Sequence, residues 1–232
     1  AAYNHQITDA SSGAESYNIK VHRLGGEEQL NVEENVNNQT KPVAAALSSD
    51  DGTGNRVHRA WVAWVNGNGN VDIRTHQDEW NNGWCDNNSP EQGDEAFASD
   101  IAIEAAGDLV LLVWRHNANT LKFAMNDDPS GDNCFQHELL EITNIGQDTL
   151  IAPQISFMKN GDDLVPVVAW HHLGEEPVRD IKLARLHKDA AAEEHEWHTV
   201  SFYEQAQPHI TDIINDHAHD LPQIVGDRLN DN

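Results

Sequence analysis

Asn66, the pair Arg115-His116 and the pair His171-His172 each follow closely on a tryptophan: Trp64, Trp114 or Trp170. Their residue types suit ligand recognition or proton transfer. A guanidinium can clamp a carboxylate or sulfate through paired N–H groups. An imidazole can act as acid, base or metal ligand. The same residues read equally well as polar ends of strands. The chain holds fourteen His in all. In "HAHD", His217 and His219 stand two apart, which puts both on one face of an extended strand and suits chelation of a metal. "EEHEWH" (Glu193–His198) is a second handle of that kind. Neither forms an HExxH motif or a Cys/His quartet, so zinc is not specified.

"NGNGNVD" (Asn66–Asp72) and "NDDPSGD" (Asn126–Asp132) carry the oxygen ligands that calcium takes. They lack the EF-hand spacing with its terminal Glu, and ordinary turn chemistry accounts for the same residues. Calcium is the one cofactor the composition suggests. No Ser-His-Asp order, phosphate-binding loop or dinucleotide fingerprint is present. Carboxylates number 39, so no single pair of them is informative about glycoside chemistry.

These residues need elements to position them, and the elements repeat. "NIKVHRL" (Asn18–Leu24), "NVDIRTH" (Asn70–His76), "TLKFAMN" (Thr120–Asn126) and "DIKLARL" (Asp180–Leu186) start 52, 50 and 60 residues apart. Each alternates apolar and polar residues, as in Val71/Asp72/Ile73, which predicts a strand with one buried face. Upstream of three copies lie "VHRAWVAWVN", "DLVLLVWRHN" and "DLVPVVAWHH". These runs are apolar on both sides and predict strands buried on both faces. Pro166 interrupts the third run and predicts a bulge there. A further strand precedes each, "PVAAAL", "SDIAIEA" and "PQISF", and another of the same kind, "PQIVGD", stands at Pro222–Asp227. A fourth follows: "EQLNVEEN", "FQHELLEI" and "WHTVSFYE", with a weak version in "EWNNGWC". "YNHQIT" (Tyr3–Thr8) is a weak candidate for a second-type strand.

The unit is thus four antiparallel strands, A to D, in 50–60 residues. It resembles the blade of a β-propeller, loosely of the sialidase-like or BNR-type repeat class. The resemblance spans roughly residues 17–226. "SSDDGTG" (Ser48–Gly54) is similar to the Asp-box of that class but lacks its Trp and lies between strands A and B. The implied fold is all-β: a single propeller domain over residues 1–232 or part of a larger one. Its blades are expected at about 40–90, 97–145 and 151–204, with 1–36 plus 221–227 as the closing blade. Pairing of the N- and C-terminal strands would close four blades and remove exposed edges. The rivals are a fragment or a protomer of a larger ring. Propeller sites gather on the face carrying the B–C and D–A connections, which holds Asn66, Arg115, His116, His171 and His172.

Cys85 and Cys134 fall at near-equivalent points after the second and third heptads. A bridge between them is expected if the chain is exported, although outer-strand positions on adjacent blades would ordinarily lie beyond the roughly 7 Å Cα limit. Trp61, Trp64, Trp114 and Trp170 are expected in the core. Trp80, Trp84 and Trp197 are expected to be exposed.

The chain sets 39 acidic residues against 14 basic ones, a formal charge of -25. Such a field repels nucleic acid and anionic membranes, and no apolar run is long enough for a spanning helix. Two sequons, Asn38-Gln39-Thr40 and Asn87-Asn88-Ser89, and a start that fits cleavage after a small residue point to an extracellular or cell-surface protein. The expected role is a binding or assembly module for polysaccharide or another protein. The alternatives are a carbohydrate-active enzyme, a lyase or glycosidase, and a self-assembling subunit of a surface layer or fibre.

Overall fold

A computed structural model describes residues 2–8, 15–23, 26–29, 42–50, 56–66, 69–76, 80–84, 100–107, 109–117, 120–126, 134–135, 140–143, 153–160, 163–173, 179–188 and 195–201. Every regular element among them is a strand, and all the strand-to-strand pairings are antiparallel. The first sheet holds β1 (Ala2–Thr8), β2 (Glu15–Arg23) and β3 (Gly26–Gln29). The second holds β4 (Val43–Asp50), β5 (Arg56–Val65), β6 (Val71–His76) and β7 (Trp80–Asn82). The third holds β8 (Ile101–Ala106), β9 (Leu109–Asn117), β10 (Thr120–Asn126) and β11 (Leu140–Thr143). The fourth holds β12 (Gln154–Asn160), β13 (Asp163–Leu173), β14 (Arg179–Lys188) and β15 (His195–Ser201). Strand order in each sheet follows chain order. Among the described residues no helix is long and apolar enough to cross a membrane.

Period-two alternation explains how the sheets stack. Along β6, Val71, Ile73 and Thr75 are buried, and the residues between them are half-buried. Along β5, Trp61, Ala63 and Val65 face the third sheet and join Ile103, Val110, Leu112 and Trp114 in one core cluster. Val62 and Trp64 point the other way and pack with Ile19 and Val21 of the first sheet. In β9 the same division recurs: Leu111 and Val113 meet Ile155, Phe157, Val168 and Trp170 of the fourth sheet. A central strand that serves two interfaces must be apolar on both sides, which is why these runs do not alternate. Each fully buried Trp, Phe or Leu contributes about 1.5–3 kcal/mol of burial free energy.

The first strands of successive sheets pack together, β4 against β8 and β8 against β12. They line one side of the stack. The first sheet has no counterpart to them: β1 pairs with β2 in the place of a B strand, and its other edge has no strand partner among the described residues. No described pairing joins the first sheet to the fourth. Residues 221–227 lie outside the described residues.

Two details differ from the sequence reading. Pro166 causes no register shift: it sits opposite Phe157 in an unbroken β12–β13 ladder. The β13–β14 ladder ends at Val167↔Arg185, one residue short of Pro166, so proline stands at the margin of that ladder. The irregularity instead falls between Thr120 and Leu121, in the β9–β10 pairing. Trp84 is not exposed. It is 3% accessible, its indole N–H donates to the Val71 carbonyl at 3.2 Å, and it packs edge-on to Trp114 and Phe135. Trp61, Trp64, Trp114 and Trp170 are core residues, as expected.

Candidate functional site

The polar turn ends are knit into local structure. Asn66 follows β5 directly and organises the turn to β6. Its N–H donates to the Asn70 carbonyl at 2.8 Å, its Oδ1 accepts from the Asn70 N–H at 3.1 Å, and its Nδ2 donates to Asp72 Oδ2 at 3.2 Å. Gly69, at φ 81°, makes the reversal with its N–H on the Asn66 carbonyl. Here a positive φ requires glycine. These hydrogen bonds close the turn between β5 and β6 and account for the Asn and Gly in the motif.

On β9, Arg115 directly follows the aligned Trp114, at the position that Val65 takes on β5. Its Nε donates to the Asn117 carbonyl at 3.0 Å, and one terminal nitrogen stands 3.9 Å from Asp100 Oδ2. Its backbone N–H also donates to the Asp100 carbonyl at 2.9 Å. The side chain is 11% accessible, so the guanidinium ties the end of β9 to the start of β8. Neighbouring His116 is half-buried. His171 and His172 hold ladder positions opposite Ile181 and Asp180 in the β13–β14 pairing. Arg115 and His171 therefore share the position of Val65 on the second sheet, one residue past the aligned Trp, and Asn66 shares its position with His116 and His172. His217 and His219 lie outside the described residues. Among the described residues no three His, Cys, Asp or Glu side chains converge as a metal site would need.

A different place offers open space. In the second sheet, Ala46 pairs with Ala60, Ser48 with His58, and Ala60 with His76. The register puts all five side chains on the face that, further along, carries Val62 and Trp64. There the first sheet covers it through Ile19 and Val21. Toward the β4–β5 turn the two alanines leave a shallow floor, and Ser48, His58 and His76 rise around it. The recess has a volume of about 280 Å³, with Leu47 and Arg59 completing the lining. Ala46, Ser48 and His58 are exposed, and His76 is half-buried with its ring edge-on to Trp80 at 4.9 Å. The recess lies at the opposite end of β5 from Asn66. The run "VAAAL" opposite "VHRA" held the only sequence signal for it, small residues facing a histidine. That signal acquires meaning only once the cross-strand register is known.

The third notable constellation joins two sheets. Trp84 and Phe135 form an isolated parallel bridge, and the Phe135 N–H donates to the Gly83 carbonyl at 2.6 Å. The chain neighbours of both cysteines are thereby brought together. Cys134 carries no free thiol, and Cys85 lies outside the described residues. Comparison of the chain with protein-family models, curated proteins and solved structures finds no match.

Proposed function

We propose that the chain is an extracellular binding module on a propeller-type scaffold, four stacked sheets closed by pairing of residues 222–227 with the open edge of β1. The stacking carries this reading. β5 and β9 each bury both faces against neighbouring sheets, which makes a rigid frame and leaves turns and sheet ends for recognition. Closure is supported by a sequence echo. Pro153-Gln154-Ile155 opens the first strand of the fourth sheet, and Pro222-Gln223-Ile224 repeats it beyond the last described strand. Among the described residues the outer edge of β1 has no strand partner.

Binding fits the polar residues better than turnover does, because Asn66 and Arg115 direct their polar groups into turn and strand-end contacts. The ligands proposed are polysaccharide or another protein, with calcium the candidate ion. A polysaccharide panel, assayed both for binding and for new reducing or unsaturated ends, tests the reading. Saturable binding without new ends is the expected result. Turnover that disappears in His116→Ala or His171→Ala would establish a carbohydrate-active enzyme instead. The open β1 edge also favours a second reading, a self-assembling subunit in which another copy supplies the missing strand. Rings or fibres under the electron microscope would support it.

A further inference from the structure

We infer that His187, Glu196 and His198, brought side by side on one face of the β14–β15 ladder, form a site for a zinc-type divalent cation. The motif "EEHEWH" joins His195 and His198 in one sequence handle. The strand divides them. β15 runs His195–Ser201, and residues three apart on a strand take opposite faces. His195 stands opposite Lys188, and His198 stands opposite Arg185. In place of His195 the register supplies a histidine from the neighbouring strand. Glu196, two residues before His198 and on the same face, stands directly opposite His187 of β14. The structure describes these three residues by backbone and register.

Neighbours on β14 settle which face this is. Ala184 and Leu186 are buried, and Ala184 belongs to the core shared with the third sheet. Period two therefore sets Arg185 and His187 on the outer face. Arg185 is exposed, so that part of the face is open to an arriving ion. The spacing suits a single ion. Directly opposed residues hold their Cβ atoms about 4.5–5.5 Å apart, and diagonal ones about 7–8 Å. Alternate residues on one strand stand about 7 Å apart. Imidazole and carboxylate arms close a triangle of that size on one ion, at donor distances of about 2.0–2.2 Å. Donor type selects the metal. Two imidazole nitrogens and one carboxylate make the three-ligand set of zinc sites that keep a fourth position for water. Calcium takes oxygen ligands and gains nothing from imidazole. The formal charge of -25 draws cations toward the surface. A cross-strand His–Glu pair without metal is the alternative, and zinc titration separates the two. The site stands on the β14–β15 ladder alone and is independent of ring closure.

The test titrates zinc chloride into the full chain, first stripped with a chelator, by isothermal titration calorimetry. Calcium chloride is the control. One zinc per chain should bind at this site, and excess calcium should not displace it. Cobalt(II) in its place should give the visible absorption of a four-coordinate ion. His187→Ala, His198→Ala and Glu196→Gln should each weaken zinc binding about tenfold or more, at least the cost of losing even an outer-shell partner. His195→Ala, in the same motif on the other face, should leave it unchanged. So should the double variant His217→Ala with His219→Ala. Zinc should raise the melting temperature of the native chain and fail to raise that of His198→Ala. If an alanine variant melts early without metal, His187→Gln provides a folded variant for the same titration. Absence of zinc binding, or unchanged affinity in the His187 and His198 variants, would overturn the site. Binding lost in His195→Ala, or only in the His217 and His219 double variant, would place the metal elsewhere and overturn it as well. An elongated particle in solution would contradict ring closure and leave this site standing.

Discussion

Gly83 shows how one residue can set an interface. Its backbone N–H donates to the Ile73 carbonyl at 3.0 Å, and its own carbonyl accepts from Phe135. A Cβ built there would stand 2.7 Å from Ile73 Cγ2. Ile73 is 1% accessible and packed among Trp61, Trp84 and Trp114, so it has little room to retreat. Gly83→Ala should therefore destabilise the protein by about 1–3 kcal/mol, the usual cost of overpacking. Thermal unfolding should register it as a melting temperature lowered by roughly 2–4 °C per kcal/mol. An unchanged melting temperature would show that the sheets part easily at this point. Trp84 belongs to the same contact, and its burial was not legible in the sequence. "WNNGWC" has no periodicity, and three residues of β7 give too short a window to reveal one. Burial here comes from a bridge to Phe135, a residue 51 positions along the chain. By contrast, the burial of Trp61 and of the three aligned tryptophans, Trp64, Trp114 and Trp170, was legible, because each sits in a long apolar run.

At the scale of elements, the alternating heptads translate directly into β2, β6, β10 and β14. The apolar runs translate into β5, β9 and β13. Alternation and its absence are both local patterns, so a single sequence displays them. Register is not local. The recess depends on which residue of β4 meets which residue of β5, and the pairing of Ala46 with Ala60 appears only in the folded sheet. The sheet-to-sheet junction is of the same kind. Cys85 follows Trp84 and Cys134 precedes Phe135, so the Trp84–Phe135 bridge draws together the chain around both cysteines. A Cys85–Cys134 disulfide between the second and third sheets is the proposed consequence. Thiol titration of the denatured, unreduced protein should find no free thiol. Two free thiols per chain would refute the bridge, and with it one support for an oxidising, extracellular setting.

At the scale of the molecule, the account joins three stacked interfaces to one open edge. The first sheet packs on the second, the second on the third and the third on the fourth. Sheets stacked in chain order with their first strands along one side reach closure if the last strand returns to β1. The strand pattern in the sequence predicts that return, because "PQIVGD" repeats the pattern that opens the fourth sheet and β1 has one edge without a strand partner among the described residues. Small-angle X-ray scattering across a concentration series tests this most directly. The account predicts a compact monomer with a radius of gyration of about 17 Å, that of a globule of this length, constant with dilution. An elongated particle, or a radius that grows with concentration, would contradict closure within one chain.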